Sequence, residues 1–417
     1  MLIKKLSAIA ALSGFAMFAT PAMADDAADV KELLLKQQKQ IEALQKKVEK
    51  QETVHNEALT HYIKNEIDRA LEAKGGNLLT LGGSHVENLK IKGDLRVRYE
   101  AREDESGNTR DRFRQRFRLG FTWKTNEGWE IGAGFATGGS DATSTNDTYS
   151  EGSPFETGDL RLDYAYAKHK WENGFNVTLG QHKNPFVSSK LLWDGDVRFV
   201  GVTANWMDKD SGFFVTGGAY VVQSYLSDTG DDADANLYAA QVGIVNSGFT
   251  GALAYYHFDE QNSNNVLSTG DNEVSMASAY LEYAGKTDMF KYKFFGEYTM
   301  NFGADNSGTS QASGSPESED TAWVLGGELG IDNFKFKYMY GHFESDSAFG
   351  PLTDSDFGDS LNTGNNTNNT EGHRFGLAYK VTKNFEVEAT YMLVEAIDGG
   401  SGDDEGELFQ LDFKYKF

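Results

Sequence analysis

Six arginines set at every second position, Arg96, Arg98, Arg112, Arg114, Arg116 and Arg118, form the densest group of chemistry-bearing side chains in the sequence. Residues two apart share one face of a strand, so each run projects a row of guanidinium groups from one side. Such rows attract carboxylates and phosphates, and around a narrow water-filled opening they select for anions. Closing the two runs through Ser106 and Gly107 sets Arg96 opposite Arg118 and Arg98 opposite Arg116. Like charges directly opposed destabilise a sheet. The plainer account, that these are the polar residues any aqueous lining needs, therefore stays open.

A second group lies in the stretch 182–198, with Lys183, Asn184, Pro185, Phe186, Lys190, Trp193, Asp194, Asp196 and Arg198. Val187, Leu191 and Leu192 accompany them, and an apolar segment of this kind is poorly placed in free solvent. The expectation is a loop folded inward as a constriction, with Asp194 and Asp196 facing the arginines across it. A latch onto a neighbouring subunit or a cover over a rim are the alternatives. Catalysis finds no support, since none of the eight histidines sits in a nucleophile or metal spacing. Gly138–Gly139 is a turn signal and not a phosphate cradle. No catalytic residue, metal site or cofactor is expected. Carboxylates crowd other connections, among them Asp228, Asp231, Asp232, Glu317, Asp354, Asp356, Asp403 and Asp404; without ligand spacing they are expected to be solvated, with divalent-cation binding left open.

What must position these groups is a set of strands. From residue 88 to 417 apolar and polar residues alternate, as in Leu95, Val97 and Tyr99 against Arg96, Arg98 and Glu100, or Phe409, Leu411, Phe413, Tyr415 and Phe417 against Gln410, Asp412, Lys414 and Lys416. Segments of about ten residues with this period, separated by turn residues, are the signature of an all-β transmembrane barrel. About sixteen segments can be counted, with eighteen an alternative, and connections that alternate between short and long. Barrels of that size enclose an aqueous channel. Trp123, Trp129, Trp171, Trp206 and Trp323 suit interfacial girdles.

Ahead of the barrel, residues 1–24 resemble a cleaved secretory signal, with Lys4, Lys5, an apolar run and Ala22-Met23-Ala24. Residues 25–74 lack Pro and Gly and carry an apolar seam through Leu34, Ile41, Leu44, Val48, Leu59 and Ile63, which predicts a periplasmic coiled-coil helix. Residues 75–87 are a Gly-rich linker, and 88–417 the barrel. The chain has no cysteine, 45 Gly, 5 Pro and a net charge of -24, which argues against nucleic acid as a partner. By parity, inward positions are nevertheless richer in basic than in acidic residues.

The segments LKIKGDLRVRYE (89–100), RQRFRLGF (114–121), FATGGSDATSTN (135–146), LDYAYA (162–167), KNPF (183–186) and WDGD (193–196) resemble the bacterial putative porin family, an outer-membrane barrel with an N-terminal coiled coil. The resemblance implies a passive diffusion channel for small hydrophilic solutes, commonly a homotrimer, in contact with outer-membrane lipid and lipopolysaccharide. Phe417, with aromatics at alternate positions before it, is similar to the signal read by the barrel-assembly machinery. With the basic lining, small anionic or polar solutes are expected. A plugged barrel acting as an adhesin or structural outer-membrane tether is the second reading.

Overall fold

The computed structural model describes residues 89–105, 107–225, 233–261, 274–304, 319–359, 361, 367–398 and 405–417. It also describes residue 39 and a short antiparallel ladder pairing Thr80 with His85 and Leu81 with Ser84. The expected signal 1–24 and helix 25–74 (residue 39 apart), most of the linker 75–87, and Asp228, Asp231, Asp232, Glu317, Asp403 and Asp404 lie outside the described residues. Among those described, no helix is long and apolar enough to cross a membrane.

Residues 87–417 form one unit. Its sixteen long strands are β1 Leu89–Asp104, β2 Thr109–Lys124, β3 Trp129–Thr137, β4 Leu160–Lys170, β5 Phe175–Lys183, β6 Arg198–Met207, β7 Phe213–Tyr225 and β8 Ala233–Asn246. They continue as β9 Phe249–Gln261, β10 Ser275–Lys286, β11 Lys291–Asn301, β12 Thr321–Ile331, β13 Phe334–Phe343, β14 Thr370–Lys380, β15 Phe385–Ala396 and β16 Glu405–Lys416. Each pairs antiparallel with its neighbours in the sequence, and β16 pairs with β1 to close the barrel. Closure reaches the last residue: Gly93 and Phe417 exchange both backbone N–H···O bonds at 3.0 Å. Gly93 carries no Cβ for a reason, since one would lie 2.3 Å from the Phe417 ring.

The short connections use the turn chemistry their lengths demand. Ser247 (φ 50°) and Gly248 (φ 87°) form a two-residue link between β8 and β9, with both central residues in the left-handed region. Between β1 and β2, Gly107 at φ 76° donates to the Asp104 carbonyl at 2.9 Å, and Asp104 donates to Asn108 at 3.2 Å. This tight closure sets the register. Arg96 faces Arg116 and Arg98 faces Arg114, two residues from the pairing expected from the sequence. A slip of two preserves the face of every side chain, so the arginines still point inward.

Outward positions carry the exposed apolar residues, for example Leu253 (61%), Phe294 (62%) and Leu325 (58%). Trp129, Trp171 and Trp206 lie at the rim of short turns, where Trp129, His169 and Trp171 form a contiguous ring chain at 4.8 and 4.3 Å. The buried apolar cluster lies inside the barrel, not in its wall. It joins inward residues of β6–β10, β12, β13, β15 and β16 to two long loops.

Candidate functional site

The arginines stand on β1 and β2, and their inward row also contains acids. Arg98 donates from Nε and Nη2 to the two Asp412 oxygens at 2.7 and 3.1 Å, a fork geometry that suits guanidinium and carboxylate. Arg116 and Arg118 both reach Asp94 at 2.8 Å. Glu100 receives Arg112, lies 3.7 Å from Arg114, and accepts from Gln410 at 3.0 Å. Arg96 bonds Asn146 and lies 3.8 Å from Asp412. The wall is thus an alternating ion network: Arg98 and Glu100 are 3% and 1% exposed, a burial that charges tolerate only when paired.

Two long loops enter the barrel. The third, 184–197, begins after Lys183 and ends before Arg198, which face each other across β5 and β6. Its backbone is held by side chains of the opposite wall. Val187 donates to Gln241 Oε1 at 2.9 Å, and Gln241 Nε2 donates back to the Val187 carbonyl at 2.8 Å. Ser189 N–H donates to Glu297 at 2.7 Å. Phe186, Leu191, Leu192 and Trp193 then fill a face made by Tyr220, Leu237, Tyr256 and Phe258. The Trp193 ring lies 5.2 Å from Tyr256 and 5.1 Å from Phe199, distances at which aromatic pairs attract beyond area burial.

The seventh loop, 344–369, carries Asp354 and Asp356, two of the carboxylates expected to be solvated, and this expectation is corrected. Phe349, Phe357 and Leu361 join the same buried cluster. A turn at Gly350–Leu352 and the short helix Ser355–Asp359 place Asp356 3.2 Å from Arg98 and Asp354 3.2 Å from Arg374. The two loops also grip each other: Asp194 N–H donates to the Leu352 carbonyl at 2.9 Å and Asp354 N–H to the Leu191 carbonyl at 3.1 Å.

The acids of the third loop therefore part company. Asp196 meets Arg118 at 3.2 Å and accepts from Thr145. Asp194 does not face the arginines; it accepts from the Ser355 backbone N–H at 3.2 Å. Burial and the neighbouring Asp354 push Asp194 up to about 8. Burial acts in the same sense on Asp356, but Arg98 and Arg374 hold that carboxyl well below its ordinary range. Arg198 turns aside to Asp163 at 2.9 Å. Lys183 and Lys190 are exposed to the lumen. Sequence reasoning missed Asp354, Asp356 and Arg374 as partners in this network; the signal was Phe349, Phe357 and Leu361, diluted among Ser, Asp and Gly.

Below the third loop, toward the short turns, lies a cavity of about 520 Å³ lined by Tyr164, Tyr166, Lys168 and Lys183, with Asn184 and Pro185 as its roof. A buried relay braces its edge. His182 Nδ1 sits 2.8 Å from its neighbour's carbonyl, so that nitrogen carries the proton and Nε2 accepts from Thr203 Oγ1 at 3.1 Å. Tyr220 Oη then donates to Thr203 at 2.7 Å. Among the described residues no cluster of His, Cys, Asp or Glu could hold a metal ion.

A closed barrel with an apolar outer band and charged groups gathered inside it is the setting for the family match. Residues 103–284 match the family described as putative porin. That span runs from the end of β1 through β10, covering the arginines of β2, the third loop and most of the apolar face beneath it. Among solved structures the chain is similar to the outer membrane channel DcaP of Acinetobacter baumannii, at 16% identity over 79% of this chain and 97% of that one, with a TM-score of 0.50. It is also similar to Salmonella typhi OmpF in complex with daunomycin, at 13% identity over 79% and 97%, with a TM-score of 0.51. At these identities the likeness is one of fold. No curated protein matches the chain in sequence.

Proposed function

We propose that this chain is an outer-membrane porin, a passive diffusion channel for small hydrophilic solutes with a preference for anions. The observation that carries the reading is the closed sixteen-strand barrel whose outward face is apolar and whose interior holds a charged wall narrowed by two infolded loops. Only closed barrels and helices satisfy every backbone group in lipid. Part of the basic excess is neutralised by Asp94, Glu100, Asp356 and Asp412, so the preference rests on the remaining cations, Lys168, Lys183 and Lys190, together with the arginine rows.

Export through the signal 1–24, a homotrimer joined by a periplasmic coiled coil over 25–74, contact with lipid and lipopolysaccharide, and delivery through Phe417 to the assembly machinery belong to the same proposal. The plugged adhesin or tether remains the second reading, and the buried cluster shared by the two loops is the observation that favours it.

Single-channel recording in a planar bilayer under a salt gradient separates the two. A porin gives a steady current with a reversal potential on the chloride side, and replacing Arg96, Arg98, Arg116 and Arg118 by Gln moves that potential toward cations. Absence of any steady current overturns the channel; a wild-type channel that prefers potassium overturns the anion preference alone.

A further inference from the structure

We propose that the cavity below the third loop is a binding site for a small ring-shaped polyhydroxy acid, a sugar acid, met by solutes between the constriction and the short-turn rim. This rests on the diffusion-channel reading. Tyr166 stands directly opposite Gly132, and Tyr164 opposite Gly134, which in turn pairs with Gly120. A Cβ at Gly132 would lie 2.3 Å from the Tyr166 ring, one at Gly134 2.3 Å from the Tyr164 ring, and one at Gly120 2.2 Å from the Tyr164 hydroxyl. The three glycines thus make a floor on which both rings lie down against the wall. The rings are half-buried, 6.0 Å apart and 34° from coplanar, and both line the cavity. An aromatic face accepts the C–H side of a ring-shaped solute.

Besides Glu130 and Lys183, the strands around the platforms contribute uncharged polar groups. Asn176 Nδ2 donates to Asn205 Oδ1 at 3.0 Å, and Asn205 Nδ2 donates to Thr216 Oγ1 at 2.7 Å and to the Val215 carbonyl at 3.4 Å, a chain that fixes both amides and turns the remaining capacity of Asn176 to a ligand. Thr122 and Thr178 add hydroxyls. The capacity that remains on these groups fits vicinal hydroxyls, and a purely apolar ring would leave it unused.

Two ammonium groups complete the site. Among the described residues, neither Lys168 nor Lys183 has a carboxylate within ion-pair distance, and the one acid that lines the cavity, Glu130, accepts from Tyr166 at 3.0 Å and lies 3.7 Å from Lys124. An anionic group on the solute is what they lack. The volume of about 520 Å³ falls within the range of about 300–1,000 Å³ usual for small-molecule sites.

The test is single-channel recording of the full-length protein with glucuronate, glucose or acetate added on the short-turn side, each block being scaled to that channel's own open current. Glucuronate should interrupt the current at a concentration about tenfold below that needed for either glucose or acetate. Lys168→Gln with Lys183→Gln should bring glucuronate to the level of glucose. Tyr164→Leu with Tyr166→Leu should weaken both sugars and leave acetate as it was; should that variant fail to assemble, the lysine pair alone decides. An open wild-type channel that glucuronate blocks no better than acetate overturns this proposal and leaves the channel standing. Equal block by glucose and glucuronate in the wild type overturns the acid preference, and absence of steady current overturns the channel and the site together.

Discussion

On one side of the barrel, from β14 through β16 to β1 and β2, inward positions hold Arg374, Glu388, Asp412, Arg98 and Arg116, each engaged with an opposite charge. On the other, from β7 to β10, the equivalent positions hold Tyr220, Leu237, Tyr256, Phe258 and Met276, and a loop covers them. Both faces point into the same lumen, yet the first is dominated by an ion network, with Met392, Val394 and Leu408 as its apolar margin under the seventh loop, and the second is built as a protein core. The difference shows that facing inward in a barrel does not fix polarity; what lies against the position does. Where a loop brings Phe186, Leu191 and Trp193, the wall is apolar. Where a loop brings Asp354 and Asp356, the wall answers with Arg374 and Arg98.

The largest effect should come from breaking the charged side. Arg98→Ala leaves the buried Asp412 and the half-buried Asp356 without their main cation, and loss of one member of a buried pair costs about 3–5 kcal/mol. Thermal unfolding in detergent should show this as a lowered midpoint, partly restored by adding Asp412→Ala. An unchanged midpoint would mean that the network adds nothing to stability.

The apolar side should respond in a different observable. Leu191→Ala removes a fully buried side chain and costs about 2–5 kcal/mol of loop packing. Because the barrel ladders remain, this should appear chiefly as a raised and noisier single-channel conductance, and deletion of 187–193 should raise conductance further. Unchanged conductance in a correctly folded deletion would move the constriction to the seventh loop or the charged wall.

Where the two loops meet, pH becomes the probe. Asp194 is raised to about 8 by burial and by Asp354. The folded loop pair therefore holds a proton that the unfolded chain releases in the ordinary carboxylate range, and stability falls with pH across that interval. The contact is fully present below the ordinary range and is lost as pH rises through about 8. Protease cleavage of the third loop should accordingly accelerate over that rise, and Asp194→Asn should flatten the dependence. A cleavage rate that slows with rising pH would reverse the assignment.

How much of this was legible follows from which demands are local. Contact with lipid is imposed residue by residue, so the alternation through 89–100 and 405–417 reveals the barrel and its outward face. The pairing of Arg96 with Arg116 depends on a single turn at Gly107, and a shift of two leaves no trace in the pattern. The apolar inner face was hidden for another reason: Tyr220, Leu237 and Tyr256 obey parity, and only the loop laid over them explains their type. Trp193 announced its loop because six apolar residues stand close together there, whereas Phe349, Phe357 and Leu361 are spread through a polar stretch.

The smallest effect is expected where charges line the wall without a loop above them. Lys293 lies 2.9 Å from Glu328 and 3.8 Å from Glu282, and Lys335 lies 3.5 Å from Glu328. In geometry these resemble the Arg98 contacts, but the side chains are about a third exposed, 31% for Lys293 and 29% for Glu328. Water screens such pairs, and a double-mutant cycle on Lys293 and Glu328 should return a coupling of about 0–1 kcal/mol. The same substitution removes a lumen cation, so Lys293→Met should still shift the reversal potential slightly toward cations while the unfolding midpoint stays in place. If the cycle instead gave a coupling comparable to that of Arg98 and Asp412, burial under a loop would not be what separates the two parts of the wall, and the strength of the network would have to come from charge density alone.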